Sequence, residues 1–232
     1  MLNNWLDIIQ HYLLPPTCML CGHSGMAGYD ICEVCYGHLP RNSPCCVQCG
    51  LHLPDVSGGP LLCGRCLGDP PAYDQVYAPF LHQGSIRHLL AGLKFSAHYK
   101  HARLLGSLLA LYLQSRPKPA LLLPMPLHNK RYRQRSFNQS IEIAKTVAKR
   151  LHIPLVLNLC IRQRDTPEQK NLSAKQRRQN IKNAFVVRRP LQGETVAILD
   201  DIMTTGSTVQ ELALALKQAG AGRVEVWVCA RA

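Results

Sequence analysis

Apolar residues change their period along this chain, and the changes divide it. From residue 71 onward, short apolar runs alternate with segments in which hydrophobic positions recur every three or four residues. Runs at 75–81, 121–123, 155–158, 185–187, 195–199 and 224–228 read as strands, and stretches near 85–95, 101–115, 139–151 and 207–219 as helices. In the last helix Val209, Leu212, Ala213, Leu216 and Ala219 share one face before Gly220 ends the pattern. This alternation predicts an α/β domain over 71–232, a parallel sheet flanked by helices with a ligand at the carboxyl ends of its strands. The polar stretch 164–183 breaks the rhythm and reads as a lid over that site or as a frayed helix.

Residues 1–70 follow another logic. Trp5, Ile8, Ile9, Tyr12 and Leu13 mark one face of a short helix over 1–14. That face suits docking on the rest of the protein better than a membrane surface, because the segment carries no Lys or Arg. Cysteine then dominates, with nine of eleven between residues 18 and 66. Cys18 and Cys21 form a C-x2-C knuckle ten residues before a second, Cys32 and Cys35. Cys46 and Cys49 precede Cys63 and Cys66 by thirteen. Such a knuckle lets two thiolates reach one tetrahedral ion, so four of them imply two structural Zn2+ ions, each closed by four sulfurs. Cys45 is an alternative to Cys46, and the spacing also permits a crossed pairing of knuckles. Cys160 and Cys229 read as buried apolar residues. Gly68-Asp69-Pro70-Pro71 reads as the linker to the α/β domain.

The start of the chain lacks the basic residues and cleavage site of a secretion signal, and no run reaches the roughly 18 apolar residues of a membrane span. A cytoplasmic location is expected, in which an odd cysteine count argues against a disulfide framework.

The chemistry concentrates in residues 196–208. Four apolar residues lead to the adjacent acids Asp200 and Asp201, then to Thr204, Thr205, Gly206, Ser207 and Thr208 at the start of the last helix. Main-chain N–H groups at a helix start lack intrahelical partners and favour a phosphate. Carboxylates accept from vicinal hydroxyls but repel a phosphate, so together these features call for a phosphate beside a diol, as in ribose 5-phosphate. If the strand pleat persists, the two acids point to opposite faces.

Charge is localised as well. Between Asn129 and Arg189 sixteen Lys and Arg face three acids, a surplus equal to the net charge of +13 for the whole chain. Within it Lys130, Arg131, Arg133 and Arg135 interleave with Tyr132 and Phe137, a composition suited to single-stranded nucleic acid or to a diphosphate.

The stretch around Asp200 and Asp201 resembles the phosphoribosyl-diphosphate (PRPP) motif of type I phosphoribosyltransferases. With Pro124-Met125-Pro126-Leu127-His128, Arg135-Ser136-Phe137-Asn138-Gln139, Arg164-Asp165-Thr166-Pro167-Glu168-Gln169 and Arg177 to Asn180, nearly the whole chain resembles the ComF/GntX family. One departure is Ser136, where glycine is expected. The resemblance implies a type I phosphoribosyltransferase-like fold after a double zinc ribbon, with the acids on the ribose hydroxyls and the following loop on the 5-phosphate. It favours the lid reading of 164–183 and implies Mg2+ when PRPP is bound. A role in uptake or nutritional use of external DNA follows, with single-stranded DNA and the uptake machinery at the inner membrane as partners. An active phosphoribosyltransferase or phosphoribosyl hydrolase, and a sugar-phosphate-sensing regulatory module, stand as alternatives. His128 and His152 could carry protons, but nothing fixes their partners and no general base is assigned.

Overall fold

The computed structural model describes residues 16–54, 61–96, 99–128, 137–164 and 181–232. The helix expected over 1–14, the cations Lys130, Arg131, Arg133 and Arg135, and most of the polar stretch 164–183 lie outside these residues.

Two short helices, α1 (Glu33–Gly37) and α2 (Gly64–Gly68), follow Cys32 and Cys63 and form the second knuckle of each pair. The α/β part begins with strands β1 (Gln75–Tyr77) and β2 (Phe80–Leu81), then helices α3 (Gly84–Ser96) and α4 (Tyr99–Leu113). Strand β3 (Leu121–Pro124), helix α5 (Gln139–Leu151) and strands β4 (Cys160–Arg162) and β5 (Phe185–Val187) follow. Strand β6 (Thr195–Met203), helix α6 (Ser207–Gln218) and strand β7 (Arg223–Arg231) complete it.

The main sheet is parallel, in the order β1-β7-β6-β3, with β2 continuing the β1 edge along β7. Its central strands bury both faces, as a parallel sheet covered by helices requires. Ala197, Leu199, Trp227 and Cys229 belong to one apolar cluster with α3, α4 and α5. Val196, Ile198, Val226 and Val228 belong to another with α6 and the β4–β5 pair.

The strand expected at 75–81 is split in two at Ala78-Pro79, and that expected at 155–158 shrinks to a single parallel bridge between Leu155 and Leu122. Residues 185–187 form the expected strand outside the main sheet, paired antiparallel with β4, which the apolar pattern does not announce. Phe185 is buried and Val186 exposed, so β5 covers one face only and suits a small two-stranded sheet.

Helix α5 begins where the Asn138 side chain accepts from the Ser140 amide, and ends at His152, a left-handed C-cap with φ 56°. His152 therefore has a structural task. Gly106 of α4 lies so close to α5 that a Cβ there would come within 2.8 Å of the Ile143 carbonyl oxygen. This contact holds two helices tightly over one sheet face. Each fully buried Leu of α4 contributes about 1.5–3 kcal/mol. The exposed Arg103–Asp30 pair, in which Arg103 Nε donates at 2.9 Å, adds only about 0–1 kcal/mol. Packing, more than surface charge, fixes the ribbon against α4.

Candidate functional site

The thiols of Cys18, Cys21, Cys32 and Cys35 lie within 4.8 Å of one another, as do those of Cys46, Cys49, Cys63 and Cys66. The pairing is sequential, and Cys45 stands outside both groups. Sulfur separations of 3.7 Å for Cys21–Cys32 and 3.6 Å for Cys49–Cys63 match the edge of about 3.8 Å expected for a tetrahedron with Zn–S bonds of about 2.3 Å.

The electrostatics call for a cation. Burial opposes ionisation of Cys18, but the amides of Cys32, Leu20 and Cys21 outweigh it and bring the thiol down to about 6. Against burial, those of Cys49, Cys63 and Gln48 likewise bring Cys46 to about 7. The other thiols ionise less readily: Cys35 is pushed up to about 12, first by hydrogen bonding with the Cys21 and Cys32 thiols, and Cys49 to about 11, chiefly by burial. A divalent ion removes this conflict. Both sites fit structural Zn2+ and leave no protein-side vacancy for catalysis.

The acid pair sits at the carboxyl end of β6. The strand runs on past the expected end at Leu199, with Asp200 opposite Val228 and Ile202 opposite Ala230. Both acids are half-buried. Asp200 Oδ1 accepts from Ser140 Oγ at 2.9 Å and from the Asp201 amide at 2.9 Å. Asp201 Oδ1 accepts from the Ile202 amide at 2.8 Å. The start of α5 is thus fastened to the acid pair. Met125, just past β3, donates its amide to the Leu199 carbonyl at 2.8 Å and accepts from Asn138 Nδ2 at 3.0 Å, which sets the loop after β3 beside the same acids. Burial first, then the charges of Asp201 and Asp200, push the Cys229 thiol up and keep it neutral.

Beyond β6, Thr204 is exposed, Thr205 and Thr208 are half-buried, and Gly206 and Ser207 are buried. Gly206 is the N-cap of α6 at φ 77°, where a side chain would be strained and would also press on Met203. Thr205 Oγ1 lies 3.0 Å from Ser207 Oγ and 3.4 Å from the Ser207 amide.

Phe137 departs from its expected role. At 8% exposure it packs in the core with its ring 6.4 Å from that of Tyr99, so it is not free to stack on a base. Three residues that sequence reasoning passed over complete the neighbourhood: Ser140, Tyr73 and Arg231. Arg231 is buried and its guanidinium spans main-chain carbonyls of both the second cysteine cluster and the loop after β6. For Ser140, its place directly after the helix cap Asn138 and Gln139 is the only signal the sequence offers.

Residues 9–67 match the family described as Double zinc ribbon domain, and residues 138–232 match Phosphoribosyl transferase domain. Over 230 residues the chain is 37% identical to the DNA utilization protein YhgH of Escherichia coli O157:H7, covering 94% of this chain and 98% of that protein. It is 31% identical over 225 residues to Competence protein F of Haemophilus influenzae, covering 93% and 96%. A purine phosphoribosyltransferase of Pyrococcus horikoshii superposes on 53% of this chain and 68% of its own, at 19% identity and a TM-score of 0.35. Family membership rests on the near-complete alignments, which the two domain matches and the two four-cysteine clusters support: the chain belongs to the ComF/GntX family, with a double zinc ribbon followed by a phosphoribosyltransferase domain.

Proposed function

We propose that the protein serves the uptake or nutritional use of external DNA in the cytoplasm, handling single-stranded DNA, and that residues 200–208 form a pocket for PRPP or ribose 5-phosphate. In this reading 1–70 is the ribbon module and 71–232 the phosphoribosyltransferase-like domain. The observation that carries it is the acid pair at the carboxyl end of β6, followed at once by the glycine-capped start of α6. Asp200 and Asp201 would hold the ribose diol. Gly206 offers no side-chain cap, and the Ser207 amide makes only a long 3.4 Å contact to Thr205 Oγ1, so the start of α6 can turn its amides to a phosphate, with Thr204, Thr205, Ser207 and Thr208 as hydroxyl donors. Gln139 adds support: buried at 4% exposure, its Nε2 has no partner among the described residues, and it lies one residue from the Ser140 that holds Asp200. A buried donor left unpaired costs about 1–3 kcal/mol, which a ligand oxygen would recover.

Lys130, Arg131, Arg133 and Arg135 would follow a DNA phosphate chain or neutralise the diphosphate of PRPP, where Mg2+ would join them. Incubating the protein with PRPP, Mg2+ and candidate bases separates the alternatives. Diphosphate release marks a transferase or hydrolase, whereas binding without release marks a sensing or DNA-handling module. Binding to oligo-dT should weaken with salt, with a slope of log affinity on log salt near −3 in all, at about −0.7 per phosphate contact. Changing the four cations to Gln should flatten the slope. An unchanged slope would move the DNA surface elsewhere.

A further inference from the structure

The second cysteine cluster and the loop after β6 lie far apart in sequence, yet they share one guanidinium. Arg231, at the end of β7, is 7% exposed. Its Nε donates to the carbonyl of Cys49 at 3.3 Å. Its Nη1 donates to the carbonyl of Met203 at 2.9 Å and to that of Thr204. Cys49 belongs to the second cysteine cluster, and Met203 and Thr204 set the direction in which the chain enters the loop.

Neighbouring contacts follow the same seam. The Ala72 amide donates to Gln210 Oε1 of α6 at 2.9 Å, and the Tyr73 hydroxyl stands beside Gly206, 3.3 Å from where a Cβ would be. A cleft of about 370 Å³ runs between them, with Cys49, Cys63 and Cys66 on one wall and Thr205, Ser207 and Gln210 on the other. The first cluster has no place in this seam. Cys18 packs in the cluster of α3, α4 and α5 on the opposite face of the sheet.

We propose that Arg231 is a positioning residue that ties the 204–208 loop to the Cys46–Cys66 metal site, so that occupancy of the second zinc site, and not of the first, controls the loop. A guanidinium holds its donors in a rigid planar fork, so orienting one carbonyl constrains the others, and buried charge-assisted bonds of this kind are strong. Loss of the ion from the second site releases the Cys46–Cys49 knuckle, and with it the Cys49 carbonyl. The fork then no longer fixes Met203 and Thr204. The coupling to sugar phosphate rests on the reading of this loop as the phosphate site. Coupling between binding sites is reciprocal, so a ligand in the loop should tighten zinc retention at the second site by the factor that the zinc tightens the ligand, roughly tenfold.

Hydrogen exchange of the loop amides tests the coupling in the full chain without needing a ligand. Cys63→Ser, which disables the second site, and Arg231→Lys, which retains charge without the fork, should each speed exchange over 204–208. In Arg231→Lys both zinc ions should remain, and slow exchange in β6 should show that the sheet is intact. Cys32→Ser should speed exchange near the first cluster only. Loop exchange as slow as wild type in both Cys63→Ser and Arg231→Lys would overturn the proposal. So would a loop equally loosened by Cys32→Ser. Calorimetry with ribose 5-phosphate then separates the two readings. No binding by wild type, together with the expected exchange pattern, leaves the coupling standing and removes the phosphate site.

Discussion

In the first cysteine cluster Cys21 is exposed and Cys32 and Cys35 are half-buried, whereas all four thiols of the second are buried. The same four-knuckle logic thus yields two different sites. The first packs with α3, α4 and α5, and the second with β6, β7 and α6 on the other face of the sheet. Identical ligands therefore differ in what their metal holds: one fastens the ribbon to a helical flank, the other reaches the loop beside the acid pair. A chelator should strip the first ion faster than the second, whose four thiols are all buried.

The largest effects should come from the sites themselves, since structural zinc supplies about 10–16 kcal/mol of apparent binding free energy in finger peptides. Metal analysis should give two zinc ions per wild-type chain and one in either Cys18→Ser or Cys63→Ser. Thermal unfolding should separate the variants, with Cys63→Ser lowering the midpoint of the sheet domain and Cys18→Ser loosening the ribbon while sparing the sheet. Equal effects on the sheet would erase the contrast.

Next in size are changes on the loop side. Gly206→Val should abolish binding of ribose 5-phosphate, because a β-branched residue at φ 77° is strained and collides with Met203. Asp201→Asn should weaken binding by about 1.5–3 kcal/mol, the worth of a charge-assisted hydrogen bond. Ser140→Ala, which removes one donor from Asp200 without touching its charge, should cost about 0.5–1.5 kcal/mol. Calorimetry ranks all three, and a Ser140 effect as large as that of Asp201→Asn would make the α5 contact more than a support.

The smallest effect concerns Asp74, on the same side of the sheet as the second cluster. It accepts from Lys217 Nζ at 2.8 Å and from the Val224 amide at 2.7 Å. Burial works against its charge, but these two donors outweigh it and hold its pKa below the usual carboxylate value. Its stabilising contribution is accordingly whole above about pH 4 and lost as pH falls through the lowered folded value. Asp74→Asn should cost about 0.5–1 kcal/mol at neutral pH, a discount appropriate to a partly exposed pair, and should flatten the acid limb of stability. An unaltered acid limb would assign that limb to other carboxylates.

Much of this was legible in the sequence because it rests on side-chain identity. C-x2-C spacing marks eight ligands, helical periodicity places α5 and α6 almost to the residue, and an acid pair before hydroxyls and glycine marks the loop. Arg231 was not legible: it reads as a lone charge at a strand end, and its partners are main-chain carbonyls that any residue would supply. Strand β4 escaped for a similar reason, since a three-residue run ending in Arg162 carries too little alternation to announce itself. Phe137 misled because an aromatic beside cations has the composition of a base-stacking site, whereas the fold buries it in the apolar cluster of α3, α4 and α5, residues distant in sequence.

The most direct measurement is a calorimetric titration of the wild-type, two-zinc protein with PRPP and Mg2+, repeated on Asp201→Asn. Saturable binding at one site per chain, weakened in the variant by about tenfold or more, is the predicted result. A folded wild-type protein that gives no binding, or a variant that binds equally well, would contradict the assignment of residues 200–208 as a phosphoribosyl pocket.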